Sequence, residues 1–123
     1  MCLLRRVARQ DAVEEVALGI KKPEECADMS DVRVEIDRLD SALVDLLAER
    51  FGYVERAWQI KLKSMAAANV PWRNQQVIDR VRGRAVERGL PPDLCEALWR
   101  QMIGWFIQYE EEKLRNELPQ DPQ

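Results

Sequence analysis

From Asp31 to about Ala67, apolar residues fall at Ile36, Leu39, Leu43, Leu46 and Leu47, then at Val54, Ala57 and Ile60. Steps alternating between three and four place these side chains on one face of an α-helix, as a coiled-coil-like stripe. No proline interrupts the stretch, and its only glycine is Gly52. Ser30 or Asp31 is the expected N-cap, because a short oxygen-bearing side chain can accept from the first free backbone N–H groups. A helix of roughly 37 residues is about 55 Å long, whereas a compact chain of this size is only about 35 Å across. The stripe outruns what one chain can cover, so a second copy is expected over the excess.

Asn69-Val70-Pro71 breaks this pattern. A second helix is predicted from about Trp72 to Arg88, stopping at Gly89, where glycine tolerates the left-handed turn past a helix end. Pro91-Pro92-Asp93 opens a third, from about Asp93 to Leu118, with Leu94, Leu98, Met102 and Trp105 on one stripe and Trp99, Ile103 and Phe106 on the next. Lys22-Pro23-Glu24-Glu25-Cys26 reads as a turn or a short helical start. Alternating β-branched runs are absent, so no strand is expected. The chain is therefore predicted to be all-α, with three helices, one very long. Residues 1–21 form an N-terminal extension, 22–118 the helical domain and 119–123 a polar tail.

Composition narrows the chemistry. The 19 basic and 22 acidic residues nearly balance, leaving no cationic surface for nucleic acid. No run of about 18 apolar residues is present to span a membrane. The first residues lack the apolar core of a secretory signal. Cys2, Cys26 and Cys95 are an odd set without ligand spacing, as expected of reduced thiols in a cytoplasmic protein. Histidine is missing altogether, which removes the commonest general base and metal ligand. Neither a metal nor a cofactor is expected. Any reaction must run on arginine, lysine, carboxylates or amides, and that favours charge stabilisation and confinement over nucleophilic attack.

Certain polar residues occupy places where the stripes call for apolar ones. Arg50 is the next member of the series Ile36, Leu39, Leu43, Leu46, and Lys61 follows eleven residues later on nearly the same face. No acid lies in register along that helix to neutralise them. Unpaired cations are costly to bury, so a bound anion is their natural partner, and the guanidinium fork suits a carboxylate. Arg33 lies early in the first helix, and Arg73 starts the second, where a helix N-terminus also attracts anions. Glu110 continues the series Trp99, Ile103, Phe106, and poor solvation there favours the neutral, hydrogen-bond-donating carboxyl. Each of these also has a plainer reading: cations that snorkel to water, or an acidic run, Glu110-Glu111-Glu112, on a solvated face.

Residues 22–116 resemble the all-α class of chorismate mutases and the related isochorismate pyruvate-lyases. The resemblance begins at KKPEECADMSDVRVEIDRLDSALVDLLAER, with an Arg-x6-Asp pattern at Arg33 and Asp40 and a Leu-Leu-Ala-Glu-Arg run ending at Arg50. The family's site cations are spaced by 17, 11 and 12 residues, and Arg33, Arg50, Lys61 and Arg73 keep those spacings without a gap. Its hydrogen-bonding residue in the last helix then falls on Glu110. The run Met102-Ile103-Gly104-Trp105-Phe106-Ile107 looks more like the lyase branch.

That resemblance implies an intertwined homodimer whose sites each take Arg50, Lys61, Arg73 and Glu110 from one chain and Arg33 from the other. Arg33 and Arg50 would clamp the two carboxylates of chorismate or isochorismate, and Lys61 and Glu110 would donate to the ether oxygen as the C–O bond breaks. The expected reaction is rearrangement of chorismate to prephenate, as in aromatic amino-acid synthesis. Elimination of pyruvate from isochorismate to give salicylate is the alternative. Asn74 replaces an acidic residue common in the family, and Val70 and Phe106 stand where others place Asp or Ser near the ring hydroxyl. Glu110 replaces a frequent Gln and must carry a proton to donate, so activity is expected to fall as pH rises. A non-catalytic helical dimer acting as an adaptor or regulator is the reading from another class. A helix-turn-helix DNA-binding role is disfavoured by the acidic third helix.

Overall fold

Asp28 starts the long helix, ahead of the two residues expected to cap it. Its Oδ1 accepts the Asp31 N–H at 2.9 Å, while Asp31 Oδ2 accepts the Ala27 N–H at 3.0 Å. Capping by Asp28 begins the helix two residues earlier than the hydrophobic pattern suggests, because the stripe marks where burial begins rather than where the backbone turns. The backbone hydrogen bond from Ala27, reinforced by the Lys21 ammonium 3.2 Å away, holds the Asp31 carboxyl below its ordinary range.

The computed structural model describes residues 19–118. A 3-10 turn at Pro23–Glu25 precedes helix α1 (Met29–Ser64), α2 (Pro71–Arg88) and α3 (Pro92–Glu117). Among the described residues there is no strand. The protein is all-helical, with the three helices anticipated. The N-terminal extension and the polar tail fall mostly outside the described residues.

The chain divides into two units, one running through Glu49 and the other from Arg50 onward. In the first, the stripe along α1 is uncovered: Ile36, Leu39, Leu43 and Leu47 are 44–56% exposed. None of the residues of this segment is buried.

The second unit holds the core. Its buried apolar positions are Ala68, Ile78, Ala85 and Cys95, and Ile78 is 1% exposed. Helices α2 and α3 pack against one another. The turn between them is tight because Gly89 takes φ 73°, the left-handed conformation in which a side chain would be strained, and its N–H bonds back to Val86 O. Arg82 reinforces the same corner, donating to Asp93 at 2.9 Å and to Glu96 at 3.1 Å. The last turn of α1 ends at Ser64 rather than Ala67, where Met65 adopts a positive φ of 57° and Ala66 N bonds to Lys61 O. An aromatic cluster joins the C-terminal part of α1 to α3: Phe51 lies 5.8 Å from Phe106 and 5.3 Å from Tyr109, ring to ring.

No described helix is long and apolar enough to cross a membrane. Cys26 and Cys95 carry free thiols, and Cys2 lies outside the described residues.

Candidate active site

A cavity of about 510 Å³ opens between the end of α1, the start of α2 and the middle of α3. Arg50, Lys61, Arg73, Asn74, Phe106 and Glu110 all line it. Six of the seven residues expected at the site are therefore brought together within one unit. The seventh, Arg33, is exposed and is not among the lining residues.

Lys61 reaches the cavity from α1 three turns after Arg50. Its ammonium donates to Glu110 Oε2 at 2.9 Å and to the Ala68 carbonyl at 3.0 Å. Glu110 is 6% exposed, as its place in the apolar series of α3 suggests. Searching for a neutralising acid along α1 alone misses it, because the partner comes from a helix 49 residues further on. The ammonium is thus aimed by two acceptors. One of its three protons has no partner among them.

The two guanidiniums are in a different state. Among the described residues, neither Arg50 nor Arg73 forms an ion pair. Arg73 donates to Gln76 Oε1 at 2.6 Å, a neutral partner that holds the fork without cancelling its charge. Arg50 is half-buried, its guanidinium carbon 5.4 Å from the centre of the Phe106 ring. Burial, and after it the charge of Arg73, pull the Arg50 guanidinium below its ordinary value. The N-terminus of α2 adds to this field with its positive dipole end, although most of its donors are already engaged: Pro71 has no N–H, and those of Arg73 and Asn74 both bond to Val70 O, at 3.0 and 3.1 Å. With Lys61 and Glu110 cancelling, two net positive charges face the cavity, a potential suited to a dianion.

Val70 and Phe106 line the wall with carbon. Asn74, the amide in place of a common acid, spends its Nδ2 on Asn69 Oδ1 at 2.8 Å and so ties the 65–70 loop to α2. Among the lining residues not expected from the sequence are two aromatic ones, Tyr53 and Trp72, respectively 72% and 71% exposed. Tyr53 is detectable in retrospect, since it follows Arg50 by three on the same helical face. Trp72 adjoins Arg73 in the first turn of α2, but nothing in its spacing distinguishes it from a surface aromatic.

Among the described residues no group of His, Cys, Asp or Glu is arranged to hold a metal. What the cavity offers is fixed positive charge, one aimed ammonium and apolar walls. The family model for chorismate mutase type II matches residues 32–111, a span that includes every cation of this site. The chain belongs to that family. It is 36% identical over 88 residues to an isochorismate pyruvate lyase of Pseudomonas aeruginosa, which covers 72% of this chain and 86% of that protein. It is also 32% identical over 87 residues to a T-protein of Enterobacter agglomerans, covering 71% of this chain but only 23% of the longer protein.

Proposed function

We propose that the cavity binds a compact dicarboxylate carrying an enol-pyruvyl ether, and that it rearranges chorismate to prephenate without a covalent intermediate. The observation that carries this reading is the pair of uncompensated guanidiniums, Arg50 and Arg73, around an ammonium already aimed by Glu110 and Ala68. The two positive charges, Arg73 included, draw a dianion into the cavity. Arg50 takes one carboxylate, and Arg33 of a second copy takes the other, an arrangement supported by the uncovered stripe at Ile36, Leu39, Leu43 and Leu47. Held in this way, the substrate keeps the folded conformer in which the enol-pyruvyl carbon lies over the ring, so the reaction becomes one of restricted conformation.

Lys61 supplies the electrostatic part. As the ether C–O bond breaks, negative charge grows on its oxygen, and an ammonium with a proton to spare stabilises it. Glu110 accepts from Lys61 and so fixes the ammonium that faces that oxygen. In the rearrangement the C–O bond breaks as a C–C bond forms, so every atom is kept. No base and no nucleophile is called for, and a chain without histidine loses nothing.

The similarity to an isochorismate pyruvate lyase over most of that protein's length supports a second reading. There the same C–O bond breaks while a ring hydrogen passes to the enol-pyruvyl methylene, releasing pyruvate and leaving salicylate. Both reactions load the same oxygen with charge, so Arg50 and Lys61 serve either. The carbon wall of Val70 and Phe106 is where the two substrates, differing in ring-hydroxyl position, are told apart. Incubation with each compound separately tests both readings: prephenate from chorismate supports the first, fluorescent salicylate with pyruvate from isochorismate the second. Turnover of neither overturns the enzymatic reading.

A further inference from the structure

We propose that Phe106 is a positioning residue for Arg50, holding the guanidinium over its ring face so that the arginine is oriented yet keeps its full charge for the substrate. This rests on the reading of Arg50 as a carboxylate-binding residue and gives Phe106 a task other than reading the ring hydroxyl.

A half-buried guanidinium beside a second cation needs something to hold it. A carboxylate would orient Arg50 but also neutralise it, and it would compete with the incoming anion. The face of an aromatic ring attracts a cation through its quadrupole and leaves the charge uncancelled. The Arg50 carbon lies 5.4 Å from the Phe106 centroid, within the range of that interaction. Arg50 has no ion-pair partner among the described residues, and the ring meets it instead.

The ring itself is braced. Phe51 packs against it at 5.8 Å, and Trp105 meets it edge-on at 5.3 Å with an interplanar angle of 89°. Behind these, Tyr109 stacks on Trp105 at 5.6 Å and lies 5.3 Å from Phe51, while its hydroxyl donates to Glu55. A chain of packed groups thus runs from the Glu55–Tyr109 hydrogen bond through Phe51 and Trp105 to Phe106 and Arg50. Aromatic contacts of this kind resist sliding because their preferred geometries are specific.

Two measurements test the proposal. Without any substrate, the Nε–H resonance of Arg50 should show an upfield ring-current shift that is lost in Phe106→Leu and kept in Phe106→Tyr. Absence of that shift in the wild type overturns the placement. With chorismate and isochorismate as probes, progressively fluorinated phenylalanine at position 106 weakens the ring's quadrupole while keeping its shape. KM for the substrate that is turned over should rise about fivefold to thirtyfold across that series, the range a desolvated cation–π contact corresponds to, with kcat held within about twofold. In an Arg50→Ala background the same series should have no further effect. A KM indifferent to fluorination, or an equal rise without Arg50, overturns the proposal and makes the ring an ordinary wall of the site. Turnover of neither probe with the ring-current shift present sinks the proposed function and leaves the Arg50–Phe106 relationship standing.

Discussion

The ammonium of Lys61 stands 2.9 Å from the carboxylate of Glu110, which is almost wholly out of water. Each group makes the other tolerable in that position. A buried carboxylate without a counter-charge is expensive, and a lysine without an acceptor would leave the site for solvent.

Removing the cation alone should therefore destabilise the fold. Lys61→Ala is expected to cost about 2–4 kcal/mol, below the full penalty for a broken buried pair because Lys61 is itself partly exposed. Replacing both partners with apolar residues, Lys61→Met with Glu110→Leu, should recover most of that loss while leaving no activity. Chemical denaturation of the three proteins checks it, and a double variant no more stable than Lys61→Ala would contradict the coupling.

Glu110→Gln keeps an acceptor for the Lys61 ammonium but removes the charge that holds it most firmly. The variant should turn over more slowly, because the ammonium is aimed less well, while its KM does not rise, because the cavity loses no positive charge. Steady-state kinetics at a single pH separate the two constants. A raised KM with an unchanged kcat would contradict the role of Glu110 in aiming Lys61.

Tyr109 gives a pH effect with a definite sign. Its hydrogen bond to Glu55, and then burial, raise its pKa from 10.0 to about 12. The folded protein thus binds this proton more tightly than the unfolded chain does, so the associated stability is complete below pH 10 and is lost between pH 10 and about 12. Ultraviolet titration should show a late phenolate transition, moved to lower pH by Glu55→Gln. A transition unmoved by that change would contradict the hydrogen bond.

The core is small, so single positions in it matter. Ile78, 1% exposed on α2, should lose about 2–5 kcal/mol on truncation to alanine. Gly89→Ala should lose about 1–2 kcal/mol, since the left-handed φ of 73° strains any side chain. Thermal melts read both, and a Gly89→Ala protein as stable as wild type would mean the α2–α3 corner relaxes to another turn.

Much of this was legible in the residues because helices announce themselves through periodicity and punctuation. Gly89 and the Pro91-Pro92 pair mark the α2–α3 corner, and the stripe from Ile36 to Ile60 marks α1. Helix α1 starts earlier than the stripe because Asp28 caps it through backbone hydrogen bonds, which leave no trace in hydrophobic spacing. The cations of the site were visible as interruptions of apolar stripes. Their partners were not: the Ala68 carbonyl and Glu110 reach Lys61 only after the chain turns back, and the Phe106 ring meets Arg50 from another helix. Contacts across helices depend on packing angle, which a linear pattern does not encode.

The most direct test of the site is turnover of chorismate and isochorismate by the wild-type protein beside Lys61→Gln, which removes the charge but keeps a donor for Glu110. Wild type should convert one of the two, and the variant, with helicity unchanged, should lose at least about a hundredfold in kcat, as is typical when a stabilising donor is removed. A wild type inert toward both compounds, or a Lys61→Gln protein as fast as the parent, would contradict an active site built around that ammonium.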